Sequence, residues 1–308
     1  MFFNCLTALL SSRRFCSLVS WKFKDFFVPT LFVAILAHPV NASASPRQDS
    51  QKMHLASKSN HKKGSTQKEH YGTHGDAPKA HPQTGKKGVG LAEKKGFSQD
   101  HLRALNVAWY YNWDNQTSLE TDVEFIPMIF SIKSLQAKVS STIVLGFNEP
   151  DNSKQSDIPV SKALEAWPSI VAKGQRIGGP AMAGNPVKGD WLPAFMAANP
   201  KIDFVTVHWY KGANAKKFIK DLEEVFALYK KPLWVTEFAP QTAASSKENP
   251  DKISQNEMNS FIDETTRWMN QSSIVERYAW HDSRVGRSSL FNEKGELTDT
   301  GRAYAQVK

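Results

Sequence analysis

Leu145-Gly146-Phe147-Asn148-Glu149-Pro150-Asp151 and Leu233-Trp234-Val235-Thr236-Glu237-Phe238 are two short apolar runs, each closing on a glutamate. Runs of this length without polar alternation read as strands buried on both faces. Similar segments recur at 107–113, 125–130, 142–147, 176–181, 204–210, 232–238 and 278–280. Helical periodicity lies between several of them: Phe218, Leu222, Val225, Phe226 and Tyr229 form one stripe, and Met258, Phe261, Ile262, Thr265 and Met269 another. Strands alternating with helices predict a parallel sheet, either open and doubly wound or closed into a barrel. An open sheet would carry a glycine-rich phosphate turn after its first strand, and Tyr110-Tyr111-Asn112-Trp113 stands there instead. Aromatic and carboxylate residues gather at strand C-terminal ends, where barrels place their active sites. The expected fold class is therefore α/β, a (β/α)8 TIM barrel.

Spacing refines the expectation. At roughly 31 residues per unit, three units span about 93 residues, and 88 separate Glu149 from Glu237 (237 − 149). Only 42 residues separate Val107 from Glu149 (149 − 107). The barrel is thus expected to be trimmed in its N-terminal half, with a stub of a third strand within 131–141.

The chain holds no G-x-S-x-G, no G-x-x-x-x-G-K-[ST] and no H-E-x-x-H. What remains is the pair of strand-end glutamates. A carboxylate there points into the barrel mouth, and glycoside hydrolysis needs two: one protonated to assist the leaving oxygen, one ionised to attack the anomeric carbon. With Asn148-Glu149-Pro150 and a later strand-end glutamate, the chain resembles the retaining (β/α)8 glycosidases. Together with Trp109-Tyr110-Tyr111-Asn112-Trp113, Val207-His208-Trp209-Tyr210 and Trp234-Val235-Thr236-Glu237-Phe238, it more closely resembles glycoside hydrolase family 128, the fungal alkali-sensitive-linkage-like group. That resemblance implies endo-β-1,3-glucanase activity with retention, Glu149 as acid/base and Glu237 as nucleophile, and places Tyr111 among the substrate contacts.

Other roles follow from position. Asn148 is expected to hydrogen-bond the sugar 2-hydroxyl, and Tyr210 to bond Glu237 and keep it ionised. His208 shares their face of its strand, as a substrate contact or a member of that network. Tryptophans at strand ends make flat sugar platforms; Trp280 is the first choice, followed by Trp109, Trp113 and Trp209. Competing readings are a non-catalytic β-glucan-binding cell-wall protein and a related barrel acting on β-1,4-mannan or β-1,4-glucan. The chemistry calls for no cofactor and no metal, and a mildly acidic optimum is expected.

The formal charge of +9 is unevenly placed: +3 over 1–44, +7 over 45–96 and −1 over 97–308. The foldable part is neutral, so nucleic acid is not an expected partner. Cys5 and Cys16 precede the first apolar run, leaving the remainder without a thiol. Residues 26–37 are apolar, basic residues precede them and Ala42-Ser43-Ala44 follows. Twelve residues suit a signal peptide and fall short of a bilayer span, so residues 1–44 are expected to be removed. Residues 45–96, rich in Lys and His (His54, His61, His70, His74, His81), are expected to be a disordered linker before a catalytic domain at 97–308. The expectation is a secreted or cell-wall monomer acting on β-1,3-glucan, without a membrane span after processing. Asn115-Gln-Thr117 and Asn270-Gln-Ser272 fit the N-glycosylation pattern.

Overall fold

Lys87-Gly88-Val89-Gly90 carries one apolar side chain, yet it is a fully buried parallel strand in the computed structural model. The model describes residues 85–308 apart from 140, 243–244, 247 and 283–285. The leader, both cysteines, the five linker histidines and residues 45–84 lie outside the described residues. The linker expected to reach residue 96 instead gives way to structure ten residues earlier. The reason is steric: a Cβ added at Gly88 would stand 2.3 Å from the Trp109 indole, so the neighbouring strand fills the space that an apolar side chain would otherwise occupy.

This strand, β1 (Lys87–Gly90), pairs with β2 (Trp109–Tyr111) on one side and β8 (Val275–His281) on the other. Beyond them β2 pairs with β3 (Glu124–Phe125), β8 with β7 (Leu233–Phe238), and β7 with β6 (Val205–Trp209). β4 (Ile143–Val144) pairs with β5 (Arg176–Ile177). Single parallel bridges join the remaining seams, Met128 with Leu145 and Gly178 with Phe204. Eight parallel strands thus close into a ring, the TIM barrel expected. Helices α1 (Gln99–Leu105), α2 (Val160–Val171), α3 (Trp191–Ala197), α4 (Ala215–Tyr229), α5 (Gln255–Gln271) and α6 (Asp299–Ala305) follow β1, β4, β5, β6, β7 and β8. The β2–β3 crossover has no helix, and the β3–β4 crossover has only a 3-10 turn, Ile132–Ser134. These omissions are the trimming that the spacing demands. The third strand is Glu124–Phe125, not a stub within 131–141.

Large and small side chains alternate around the barrel interior. Phe204 and Trp234 stack with centroids 4.2 Å apart, and Trp109 meets Trp234 at 5.2 Å. On the adjacent strand, Gly178 leaves room that Phe204 fills, since a Cβ there would lie 2.7 Å from its ring. Outside the strands, α4 and α5 bury the stripes expected of them, led by Phe218 and Leu222, and by Phe261 and Ile262. Ser254 and Glu257 form a capping box at the start of α5. Lys87 is buried beside α6, where its ammonium donates to the Tyr304, Ala305 and Val307 carbonyls, the negative end of the helix dipole. Burial nevertheless lowers its pKa to about 8. The Tyr304 hydroxyl donates to the Gly88 carbonyl at 2.7 Å, tying α6 to β1. At Asn270 the side-chain amide is engaged on both sides, by the Tyr278 hydroxyl and the Lys308 carbonyl. Among the described residues no helix is long and apolar enough to cross a membrane.

Replacing Gly88 with alanine should destabilise the barrel by about 1–3 kcal/mol, the usual penalty of overpacking. Urea unfolding of the Gly88→Ala chain checks this, and unchanged stability would remove the steric account of β1.

Candidate active site

Two local irregularities bring the glutamates together. Glu149 follows β4 at φ +43°, a left-handed conformation that a non-glycine residue holds only when its surroundings enforce it. Its N–H donates to the Ala181 carbonyl at 2.8 Å, and its carbonyl accepts from the Asn152 N–H at 3.0 Å, pinning the turn. Glu237 lies in β7, and the β7–β8 register shifts between Val235 and Phe238. Such shifts re-aim side chains at barrel rims. A carboxylate oxygen of Glu149 and one of Glu237 lie, with a His208 ring nitrogen, within 4.8 Å of one another. His208 stands between them, Nδ1 3.0 Å from Glu149 Oε1 and Nε2 3.5 Å from Glu237 Oε1.

Glu237 is held by three donors. Trp113 Nε1–H reaches Oε1 at 2.7 Å, the Tyr111 hydroxyl reaches the same oxygen at 3.2 Å, and the Tyr210 hydroxyl donates to Oε2. His281 Nδ1 lies 2.5 Å from the Tyr210 oxygen; with the tyrosine proton given to Glu237, the imidazole is the donor. Glu149 Oε2 accepts from Asn152 Nδ2 at 3.0 Å. Both carboxylates open onto a cavity of about 900 Å³, whose walls include Asn148, Trp113, Phe130 and His281. Asn148 Oδ1 is buried there without a hydrogen-bond partner, an acceptor left for something the cavity holds.

Several residues expected to touch sugar do not reach the cavity. Trp280 is fully buried against Phe238 and Tyr304, with its N–H on the Ser288 carbonyl. Trp209 faces Phe218 and Phe261 in the helical layer and donates to Asp221. Trp109 fills the barrel interior below the site and donates to the Lys86 carbonyl. Strand alternation explains the first two: neighbours His208, Tyr210 and His281 point inward, so Trp209 and Trp280 point out. Tyr111 does point inward, but it is fully buried, and its single hydroxyl proton is shared between the Thr236 carbonyl at 2.9 Å and Glu237 Oε1 at 3.2 Å. His208 belongs to the carboxylate network, since its side chain is 1% exposed. Trp113 is the one expected tryptophan on the cavity wall. His281 and Phe130 are not expected from the sequence: alternation sets faces only within a strand, and the register shifts between β6, β7 and β8 break any count carried from His208 to His281.

A family model for the glycosyl hydrolase catalytic core matches residues 90–304. A subgroup I endo-β-1,3-glucanase of glycoside hydrolase family 128 from Amycolatopsis mediterranei, solved with laminaritriose, is 32% identical at a TM-score of 0.65. That match covers 72% of this chain and 99% of the other. The chain belongs to glycoside hydrolase family 128. Another similar structure is a subgroup VII oligosaccharide-binding protein of the family from Trichoderma gamsii, 25% identical, TM-score 0.61, covering 73% of this chain and 94% of that one. Alkali-sensitive linkage protein 1 of Schizosaccharomyces pombe is 29% identical over 230 residues, 68% of this chain. The chain spans only 42% of that curated relative's length.

In this family 128 chain the electrostatics hold Glu237 ionised. Burial alone would push Glu237 up. The His208 and His281 charges, with hydrogen bonds from Tyr210 and Trp113, outweigh it and hold the carboxyl down at about 2. Burial likewise works against the His208 cation, but Glu237 and Glu149 overcome it and the pKa rises. Burial wins at His281, which is lowered and so uncharged at neutral pH; there the charge sustaining Glu237 is that of His208. Burial and the neighbouring Glu237 raise the Tyr111 and Tyr210 phenols far above their ordinary range, so both remain donors.

A carboxyl whose folded pKa falls from 4.5 to about 2 adds stability that is complete above 4.5 and disappears as pH drops toward 2. The stability difference between the unaltered chain and Glu237→Gln should therefore shrink as pH falls from about 5 toward 2. Denaturant titrations from pH 2 to 7 test this, and a difference independent of pH would contradict the assignment of charge.

Proposed function

We propose that this chain is a secreted, retaining endo-β-1,3-glucanase, with Glu149 as acid/base and Glu237 as nucleophile. The observation that carries the reading is the closeness of the two carboxylates, an oxygen of one lying within 4.8 Å of an oxygen of the other. Retaining glycosidases hold their pair about 5–5.5 Å apart, whereas inverting ones leave about 6.5–9.5 Å for a water. The substrate class is supported by the Amycolatopsis mediterranei relative, an endo-β-1,3-glucanase solved with laminaritriose. Export is supported by the apolar run at 26–37 and the small residues behind it.

In the first step a Glu237 oxygen attacks the anomeric carbon. The glycosidic C–O bond breaks, and Glu149 gives its proton to the departing oxygen. A glycosyl ester on Glu237 results. In the second step Glu149 takes a proton from water as that water attacks the same carbon, and the Glu237 carboxylate leaves. Two inversions amount to retention. His208 Nδ1, 3.0 Å from Glu149 Oε1, holds that carboxyl facing the reacting centre through both steps. Asn148 Oδ1, lacking a protein partner, accepts from the sugar 2-hydroxyl, a bond that strengthens as positive charge builds on the ring.

Glu149→Gln and Glu237→Gln should each lose hydrolysis of laminarin by on the order of 10³-fold or more while still binding it. Proton NMR of the first product should show the β-anomer. Glutamine variants that keep full activity, or an α-anomer released first, would overturn the assignment. Unaltered chain that binds laminarin without releasing products would favour the oligosaccharide-binding role of the Trichoderma gamsii relative.

With Glu237 ionised down to about 2 and the His208 pKa raised by the neighbouring carboxylates, activity should be lost mainly on the alkaline side, as His208 gives up its proton and Glu237 loses that support. A pH–rate profile for laminarin should peak on the acidic side of neutrality; a maximum above about pH 8 would contradict the roles.

A further inference from the structure

The β2–β3 crossover has no helix to hold it, yet it supplies Trp113, the closest nitrogen donor to Glu237. A bare loop would leave that indole free to sample many positions. Glu93 supplies the missing order. It sits in the 3-10 turn Glu93–Lys95 directly after β1. Its Oε1 accepts from Asn112 Nδ2 at 2.7 Å and the Thr117 hydroxyl at 2.6 Å. Its Oε2 accepts from the Ser118 N–H at 2.9 Å and the Ser118 hydroxyl at 2.7 Å. One carboxylate thus receives four donors, and they bracket Trp113 from both sides along the chain.

The bracket is tied down further. With the Thr117 proton given to Glu93, the Tyr110 hydroxyl donates to Thr117 at 2.7 Å and anchors the loop to β2. Asn112 Nδ2 also donates to the Gln116 carbonyl, and Asn112 Oδ1 accepts from the Asp114 N–H, both at 2.9 Å. Within this ring Trp113 is held at φ +62°, a conformation it would not keep unaided. Its indole lies on Gly90 of β1, where an added Cβ would come within 3.0 Å. Burial pushes the Glu93 carboxyl up, but the bonds from Thr117, Ser118 and Asn112 more than offset this and keep it low. A glutamine could accept only through one of its two ends, so the knot requires the charged form.

We propose that Glu93 is a positioning residue: through Asn112, Thr117 and Ser118 it fixes the loop that aims the Trp113 N–H at the Glu237 carboxylate. The inference rests on reading Glu237 as the nucleophile. Glu93 touches neither the reacting carboxylates nor, in this role, the sugar; its effect travels through Trp113.

The test is laminarin kinetics on the full chain, with melting temperatures recorded for each variant. Glu93→Ala and Glu93→Gln should lower kcat by about 10- to 100-fold. Both should raise the acidic pKa of the kcat/KM profile, because Glu237 loses the Trp113 bond. Trp113→Phe should do the same, and the double variant Glu93→Ala/Trp113→Phe should be no slower than Trp113→Phe alone. The proposal is overturned by a normal kcat in Glu93→Ala, by losses that multiply in the double variant, or by an unmoved acidic limb. Should Glu93→Ala fail to fold, Glu93→Gln decides the matter. Glu237→Gln in the same assay separates the two failures. If it stays active, the nucleophile reading is wrong; if it is inactive while both Glu93 variants are normal, only the role of Glu93 falls.

Discussion

A carboxylate buried at the end of a strand must either take up a proton or be surrounded by donors, and Glu237 takes the second course. Its two oxygens receive bonds from Tyr111, Trp113 and Tyr210, with the His208 imidazole alongside. Desolvation of an unpartnered carboxylate would undo the ionised form altogether. The donors come from β2, the loop after it and the end of β6, while the other glutamate comes from the end of β4. No two neighbouring strands could assemble such a set. The charge on Glu237 therefore presupposes a closed ring, and the ring's packing is part of the site's chemistry.

Closure in turn depends on matching bulk around the barrel. Trp109, Phe204 and Trp234 fill the interior because Gly88 and Gly178 stand on adjacent strands without side chains. The same economy shapes the outside. Where the N-terminal half lacks helices, loops take over the upper face and bring Trp113 and Phe130 to the cavity wall. A helix would have held those segments through apolar packing. Here hydrogen bonds to Glu93 do so, and a side chain elsewhere on the cavity wall becomes coupled to the carboxylate at its centre.

His208 links the two acids. Positioned between them, it supports the charge on Glu237 and lies within hydrogen-bond distance of Glu149, so the carboxylates are never electrically independent. An arrangement of this sort keeps one buried acid ionised while the other stays within reach of the same imidazole.

Seven of the eight strands are legible in the sequence as apolar runs, as is the shortened N-terminal half, because 42 residues cannot hold three complete units. The first strand is not legible. Lys87-Gly88-Val89-Gly90 has lost its hydrophobic signature to make room for Trp109, and only the packed neighbour reveals why. The two glutamates were readable from chain position alone, since each follows an apolar strand. The aromatic lining of the cavity was not: composition marks tryptophan as a candidate everywhere, and only the register of each strand tells which face it takes. Thus Trp280 and Trp209 went to the helical layer and His281 to the cavity. The sequence by itself determined the ring of strands and the two acids at its rim, because burial and spacing are written along the chain. The tertiary structure alone decided which side chains surround those acids, because donors to one carboxylate arrive from strands more than a hundred residues apart, as with Tyr111 and Glu237.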